Sequence, residues 1–403
     1  MELLSSGEYD LAVIGAGMTG AACAWYAARA GLRVAVLDRG PVAGGTTGAG
    51  EGNLLVSDKE PGPELDLALL STRLWRELAE AGAGTWEPWF GASAEYEAKG
   101  GLVVAAESAG FAALEAFAQE QRRAGVEAES VPAERLAELE PYLSPDLAGG
   151  VYYPQDAQVQ PARAAGLLIR DARYRGATLH TGVTVTGLTR AADGRINGVV
   201  TNRGTLRASW VLNAAGTWSG SIAKLADVHL PVLPRRGFVL VTEPLPRLIR
   251  HKVYAADYVA DVASSSAALQ TSAVVEGTAA GPILIGASRE RVGFDRTFSL
   301  EVAHLLAKQA IELFPALSQV KAMRSYVGFR PYMPDHLPAI GPDPRAPGLL
   351  HACGHEGAGI GLAPATGHLL AQVLTGKTPD LDLTPFRPER FEGSESLGNG
   401  ASA

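Results

Sequence analysis

One stretch near the amino terminus, YDLAVIGAGMTGAACAWYAARAGLRVAVLD, constrains the fold more than any other part of the chain. An apolar strand leads into three glycines with G-x-G-x-x-G spacing, then an Ala-rich helix and a second apolar strand that ends at Asp38. Gly15 permits a tight turn, Gly17 lets backbone approach a pyrophosphate, and Gly20 lets the helix pack closely on the strand. This order predicts a Rossmann-like βαβ unit that binds a dinucleotide.

Asp38 narrows the choice of nucleotide. A carboxylate at the end of the second strand accepts hydrogen bonds from a ribose diol and disfavours a 2′-phosphate, so FAD or NAD is expected rather than NADP. This stretch does not distinguish FAD from NAD. It also leaves open a glycine-rich turn in some other βαβ unit.

Composition limits the class of protein. A chain of 403 residues is long for one core, so two interleaved or sequential domains are expected. The net charge of −8 disfavours nucleic acid or an anionic membrane as the main partner. We recognise neither a secretory signal nor a membrane-spanning run, and expect a soluble, cytoplasmic protein.

Cys23 and Cys353 are the two cysteines of the chain. A disulfide scaffold, a Cys-rich zinc site and a Cys-ligated iron–sulfur cluster are therefore excluded within it, and no metal site is expected.

Two further glycine-rich segments predict ligand contacts. The loop that follows Asp38 contains Gly45, Thr46 and Thr47, and can present N–H groups and hydroxyls to phosphate oxygens, although a flexible surface loop is the alternative. The stretch GHEGAGIG, residues 354–361, enters a helix whose N-terminus favours an anion or a polarised carbonyl.

Strand-like and helical patterns predict that the chain alternates between two domains. The fold class is α/β, with a Rossmann-like nucleotide domain interleaved with an α+β substrate domain built on an antiparallel sheet. The predicted nucleotide-domain segments are 1–84, 146–230 and 326–390; the substrate-domain segments are 85–145 and 231–325; residues 391–403 are expected to be a disordered tail.

Five separated motifs resemble the D-amino-acid-oxidase-like flavoprotein family, which includes glycine oxidase and sarcosine oxidase. They are GAGMTG with Asp38, the GGTT loop, VTV at 183–185, NAAGTW at 213–218, and GFRPYMPDHLPAIG followed by GHEGAGIGLAP. The segment GEGNLLVSDKEPGPELDL and the motif GHEGAGIG are similar to the branch with the catalytic subunits of D-hydroxyproline dehydrogenase, opine oxidase and hydrogen cyanide synthase.

The resemblance implies FAD as cofactor, bound non-covalently, because residues 320–340 lack the cysteine through which sarcosine oxidases attach flavin. The implied cofactor-binding residues are Gly15, Gly17, Met18, Thr19, Gly20, Asp38, Arg39, Gly45, Thr46, Thr47, Gly52, Asn53, Leu54, Val183, Ala214, Ala215, Gly216, Trp218, Gly354, His355, Gly357, Gly359 and Ile360.

Arg330 matches the family's carboxylate-binding arginine, a role that suits a bidentate guanidinium, whereas a structural ion pair is the alternative. We expect it on a loop stiffened by prolines. His355 is a candidate for assisting at the flavin. Tyr254 and Tyr258 are expected on sheet strands, as pocket residues or as packing residues.

The implied reaction is oxidation of the C–N bond of a small amino acid or secondary amine of the glycine, sarcosine, D-proline, hydroxyproline or opine type. The electron acceptor is either O2, with Lys252 as a candidate for activating it, or an iron–sulfur partner subunit. Alternatives are a flavin subunit for electron relay or assembly and a flavin hydroxylase. A homo-oligomer is compatible with the sequence.

Overall fold

The computed structural model describes residues 7–81 and 90–392. The strands are β1 (Glu8–Ile14), β2 (Val34–Asp38), β3 (Asn53–Leu54), β4 (Gly101–Ala105), β5 (Glu129–Pro132), β6 (Gly149–Tyr153), β7 (Ala157–Gln158), β8 (Thr178–Thr181), β9 (Val185–Arg190), β10 (Ile196–Thr201), β11 (Gly204–Asn213), β12 (Leu233–Thr242), β13 (Lys252–Ala255), β14 (Gln270–Gly277), β15 (Ile283–Arg289), β16 (Ala322–Tyr332), β17 (Ala339–Pro342) and β18 (Leu349–Cys353). The α-helices are α1 (Met18–Arg29), α2 (Pro63–Ala81), α3 (Phe90–Ser93), α4 (Ser108–Arg123), α5 (Ala133–Leu139), α6 (Pro161–Tyr174), α7 (Ser219–Lys224), α8 (Asp257–Ala263), α9 (Leu300–Leu313) and α10 (Gly359–Leu374).

The first sheet is the predicted nucleotide-binding sheet. Its strands run in the order β17-β18-β11-β1-β2-β8, and every neighbouring pair is parallel except β17 and β18. Helix α1 packs against α6 and α10, and it ends before Gly31, whose φ of +87° is accessible to glycine. Ligands bind outside the carboxyl ends of such parallel strands, so this edge positions the site.

The second sheet has eight strands in the order β16-β12-β15-β14-β13-β4-β6-β5. Neighbours are antiparallel except β13 and β4, which run parallel. Helix α9 packs on β14 and β15. The predicted fold class, a Rossmann-like domain interleaved with a second domain on a largely antiparallel sheet, is confirmed.

Several predicted boundaries need correction. The crossing predicted at 145/146 precedes β6, but β6 pairs with β4 and β5 in the second sheet, where Val103 lies opposite Val151. The crossing predicted at 325/326 falls inside β16, which continues along β12 to Tyr332. Phe391 is buried and closes a short 3-10 turn rather than opening a disordered tail. The boundary near residue 84 and the tail from residue 393 lie outside the described residues.

The segment predicted as a strand around KVYAADYVA is only partly extended. Strand β13 stops at Ala255, and Asp257 then begins α8, with an acidic residue in its first turn. Tyr254 therefore lies on a strand as predicted, but Tyr258 lies on a helix. In the part of the chain that the structure describes, no helix has the length and apolarity that a membrane crossing requires.

Candidate active site

A cavity of about 510 Å³ lies where the carboxyl edge of the first sheet meets strands β12 and β16 of the second. Most residues predicted for the site border it: Gly15, Gly17, Met18, Thr19, Asp38, Arg39, Gly45, Thr46, Thr47, Gly52, Asn53, Val183, Ala214, Ala215, Gly216, Trp218, Tyr258, Arg330, His355, Gly357, Gly359 and Ile360. Five predicted residues do not border it: Gly20, Leu54, Lys252, Tyr254 and Gly354.

The glycine turn is shaped by close backbone approach. Gly15 has φ +112°, and a Cβ there would clash with the carbonyl of Ala214 on the neighbouring strand. A Cβ on Gly20 would clash with the carbonyl of Gly15, so this glycine allows the helix to pack on the turn. Gly17 precedes α1 and provides no side-chain cap. The Met18 amide donates to the Thr47 hydroxyl, and the other amides of the first helical turn are available to an anion.

Asp38 has a structural role as well as a place on the cavity wall. One carboxylate oxygen accepts from the Ala16 amide and the other from the Gly40 amide, both at 2.7 Å. These bonds fix the carboxylate, and its remaining lone pairs can accept from a ribose hydroxyl. The amide of Val183, a residue that the family resemblance implies at the cofactor, already donates to the Asp38 carbonyl at 2.9 Å. A contact from Val183 backbone to a ligand would therefore use its carbonyl.

The loop threonines are partly committed to the protein. The Thr47 hydroxyl accepts from the Met18 amide at 2.9 Å, while the Thr46 hydroxyl donates to the Phe329 carbonyl at 2.6 Å. Trp218 lies nearby, with the Arg39 guanidinium 3.9 Å from its ring centroid. This loop is hydrogen-bonded both to α1 and to β16, which argues against the alternative of a flexible surface loop.

Arg330 lies on β16 and not on a loop, which corrects the prediction. Pro331 does not end the strand, because β16 is an edge strand, where a missing N–H is tolerated. The Arg330 side chain crosses β12 above Gly237, where a Cβ would clash with Nη1, and Nη1 donates to the Ser288 carbonyl at 2.8 Å. Burial lowers the pKa of Arg330, and the nearby charge of Arg289 lowers it further.

His355 borders the cavity but is almost fully buried. Its Nε2 lies 3.0 Å from the Thr366 hydroxyl, and burial lowers the pKa of the imidazole to about 3. The side chain is therefore neutral at physiological pH. It can donate or accept a hydrogen bond, but it brings no positive charge to the site.

The two tyrosines have different environments. Tyr258 borders the cavity, whereas Tyr254 is fully buried behind it and donates to the Ser57 hydroxyl, which in turn donates to Asp156. Their ring centroids are 5.0 Å apart in an edge-to-face arrangement. Tyr254 is thus in the position of a packing residue that supports Tyr258.

Lys252 does not reach the cavity wall. Its ammonium lies 2.9 Å from a Glu276 carboxylate oxygen and donates to the side-chain carbonyl of Asn53. Burial by itself would lower the pKa of Lys252, but the charges of Glu276 and Glu51 outweigh it, and the pKa is raised. Lys252 is consequently a cation whose charge is offset within the protein.

Cys353 ends β18 and borders the cavity, whereas Cys23 lies in α1 away from it. Burial raises the pKa of each thiol to about 12. Both are therefore thiols rather than thiolates, and thus weak nucleophiles.

Sequence reasoning missed two carboxylates on the cavity wall, Glu51 and Glu356. Glu356 pairs with Arg235 at 2.5 Å and with His336 at 2.9 Å. Each of these glutamates stands next to glycine, in the motifs GEG and HEG. A charged residue inside a glycine-rich turn was the available signal, because such a turn brings its neighbours close to a ligand.

The parallel sheet, the glycine turn and the covering second sheet define a nucleotide-dependent oxidoreductase of the two-domain type. The sequence matches the family described as FAD dependent oxidoreductase over residues 10–373, and the chain belongs to that family. The predictions of the family and of FAD as cofactor are confirmed, so the cofactor is FAD rather than NAD.

Individual relatives cover nearly the whole chain. It is 30% identical to hydrogen cyanide synthase subunit HcnC of Pseudomonas aeruginosa, over 95% of this chain and 96% of that protein. It is 31% identical to glycine oxidase of the same organism, over 93% and 97%. The crystal structure of glycine oxidase from Geobacillus kaustophilus superposes with a TM-score of 0.84 at 28% identity, over 95% and 99%.

Proposed function

We propose that this enzyme oxidises the C–N bond of a small amino acid or secondary amine to an imine. The observation that carries the proposal is Arg330, a partly buried guanidinium on the cavity wall. Its Nε and Nη2 atoms donate a hydrogen bond to no described residue. Both atoms are accessible to a water-sized molecule. Two parallel N–H donors match a carboxylate, and this argues against the alternative of a structural ion pair.

The residues on the cavity wall suit FAD. The turn at Gly15 and Gly17 with the start of α1 would hold the pyrophosphate, and Asp38 the adenosine ribose. The segments that contain Asn53 and Gly357 would border the ring system. Because the thiol of Cys353 is protonated, non-covalent attachment is the expected mode. When bound, FAD supplies an acceptor for the hydride that leaves the substrate α-carbon.

The protein's own contribution is orientation. Arg330 would hold the carboxylate, and therefore the α-carbon beside it, at a fixed place on the wall. The α C–H bond breaks as the nitrogen lone pair forms the C=N bond, so the amine has to be neutral. Neutral His355 adds no charge that would repel an approaching ammonium group. Water then hydrolyses the imine to a carbonyl compound and an amine or ammonia.

Two electron acceptors stay in competition. One relative is named as a subunit, which favours a catalytic flavin subunit that passes electrons to an iron–sulfur partner. Another is named as an oxidase, which favours O2. Rapid reoxidation by air of substrate-reduced enzyme would identify an oxidase, and slow reoxidation a dehydrogenase separated from its partner.

Arg330→Ala tests the proposal. We expect KM for a carboxylate substrate to rise by about 100-fold, a loss typical of a buried charge-assisted pair, with flavin still bound. The measurements are flavin content and anaerobic reduction by glycine, sarcosine, both prolines, hydroxyprolines and an opine. Arg330→Lys is the matched control and should recover part of the loss. Flavin loss in Arg330→Ala would instead show a structural arginine.

A further inference from the structure

Glu51 borders the cavity, and the hydrogen bonds of its carboxylate are incomplete. The residue is 8% exposed. One carboxylate oxygen, Oε2, accepts from Asn53 Nδ2 at 3.1 Å, whereas the other, Oε1, is buried and accepts from no described residue. A buried acceptor without a donor is unfavourable and calls for an explanation, and a donor on a bound molecule supplies one.

The charged neighbours of Glu51 do not use up its carboxylate. Lys252 Nζ lies 3.9 Å from Glu51 Oε2 but only 2.9 Å from a Glu276 oxygen, so Glu276 is its main partner. Glu356, the other glutamate on the cavity wall, differs, because its two oxygens are paired with an arginine and a histidine. Of the two glutamates on the wall, Glu51 is therefore the one with an acceptor atom to spare.

The alternation of side chains along a strand places the Glu51 carboxylate on the same face of the second sheet as Arg330. On β15, Ile285 packs in the apolar cluster that includes α9, so the next residue, Gly286, lies on the opposite face. A Cβ on Gly286 would clash with Glu51 Oε1. On the neighbouring strand β12, Gly237 borders the cavity and lies under the Arg330 guanidinium. Both charged groups are therefore in front of glycines of the second sheet.

The two groups are close enough to hold one amino acid. Arg330 Nη1 donates to the Ser288 carbonyl at 2.8 Å, and Glu51 lies against Gly286, two residues away on the same strand. Two residues span at most about 7 Å. A carboxylate and an amine on one carbon, with a hydrogen bond of about 2.9 Å at each end, bridge about 7–9 Å. The charge of Glu51 also partly offsets the effect of burial on the pKa of Arg330, as expected for groups that lie near each other.

We propose that Glu51 accepts a hydrogen bond from the substrate amine while Arg330 binds the substrate carboxylate. The terminal torsion of a glutamate is soft, so a rotation can turn either oxygen toward the amine. Two contacts, one at the nitrogen and one at the carboxylate, fix the direction of the α C–H bond that breaks. The inference rests on the proposed amine oxidation. It makes Glu51 a specificity-determining residue that distinguishes an N–H group from an oxygen or a methylene at the same place.

The test compares ligands that differ only at the nitrogen. Methoxyacetate is sarcosine with oxygen in place of N–H, and cyclopentanecarboxylate is proline with a methylene there. Half-saturating amine concentrations come from the rate of anaerobic flavin reduction, and Kd of the two analogues from the change in flavin absorption. For Glu51→Gln we expect the half-saturating concentrations of sarcosine and proline to rise about tenfold or more, because a charge-assisted hydrogen bond is lost. Kd of the analogues should change less than about threefold.

Glu276→Gln is the matched control. Glu276 is the main partner of Lys252 but does not border the cavity. This variant should lower the free energy of unfolding and leave the ratio of amine affinity to analogue affinity unchanged, because Glu51 is intact. Glu51→Asp keeps the charge and should lie between the wild type and Glu51→Gln. Flavin content in each variant shows that the protein has folded.

The outcomes separate the two proposals. If an amine reduces the flavin but Glu51→Gln weakens amines and analogues equally, amine oxidation stands and the role of Glu51 is overturned. The same change of ratio in Glu276→Gln would overturn it as well, because Glu51 would then act only through Lys252. Loss of flavin from Glu51→Gln would assign Oε1 to the cofactor instead of the substrate. If no amine reduces the flavin, the proposed function fails, and the assignment of Glu51 fails with it.

Discussion

The two walls of the cavity differ in what they offer a ligand. The wall from the first sheet is mostly backbone and small residues, namely the turn at Gly15, amides of α1 and the ends of β11 and β18. Its larger side chains are those of Asp38, Arg39 and Trp218. The wall from the second sheet carries the partly buried charged side chain of Arg330 on β16, and Arg289 lies behind Tyr258 without bordering the cavity. The first wall is shaped by sterics, whereas the second depends on electrostatic balance.

This difference determines how substitutions impair each wall. A backbone wall tolerates almost no added atom, because its atoms touch the next strand directly. A charged wall tolerates changes of shape but not the loss of one partner, because the remaining charge stays buried. Substitutions on the two walls should therefore produce different losses, namely of flavin on the first and of stability or substrate affinity on the second.

The largest effect is expected for Gly15→Ala. The backbone there has φ +112°, and the added Cβ would clash with the Ala214 carbonyl, so the turn would have to move. We expect purified protein to retain about tenfold less flavin than the wild type, or none. The ratio of flavin absorption to protein absorption measures this.

Gly166→Ala is the control for Gly15→Ala. Gly166 lies inside α6, and nothing lies within 4 Å of a Cβ added there. This variant should keep its flavin and gain about 0.5–1 kcal/mol in free energy of unfolding. Full flavin content in Gly15→Ala would contradict the view that sterics shape the first wall.

The second largest effect is expected for Lys252→Met. Removing the ammonium leaves Glu276 buried without its cation, so the free energy of unfolding should fall by about 3–5 kcal/mol. Urea unfolding measures this. Lys308→Met is the control, since Lys308 and Glu312 form an exposed pair at 3.8 Å, and its effect should stay within about 0.5 kcal/mol. Slower reaction with O2 at unchanged stability would instead favour a role in oxygen activation.

The sequence predicted the first wall better than the second. The glycine spacing and Asp38 are local features whose geometry follows from neighbouring residues, so the nucleotide site could be read directly. Arg330 was identified by its resemblance to a family motif, but its strand position was not, because pairing with β12 depends on residues about 95 positions away. Arg289, Glu51 and Glu356 were missed, since their proximity arises when two distant segments meet.

The smallest of these effects is expected for Gly237→Ala. Gly237 lies on the second wall and carries no charge. Its missing side chain leaves room for the Arg330 guanidinium to cross β12. An added Cβ would push Nη1 away from the Ser288 carbonyl, so kcat/KM for a carboxylate substrate should fall about tenfold while flavin content is kept. Steady-state kinetics measure this.

Because the proposed effect acts mainly through Arg330, it should add less than fully to the loss of that side chain. In the Arg330→Ala background, Gly237→Ala should lower kcat/KM by less than it does in the wild type, because the clash with Nη1 is gone and only the close approach to the Ser288 carbonyl remains. Two independent, additive losses would mean that Gly237 shapes the second wall by another route. A charged wall thus needs a glycine as much as the backbone wall does, to give a long side chain its path rather than to bring a strand close to a nucleotide.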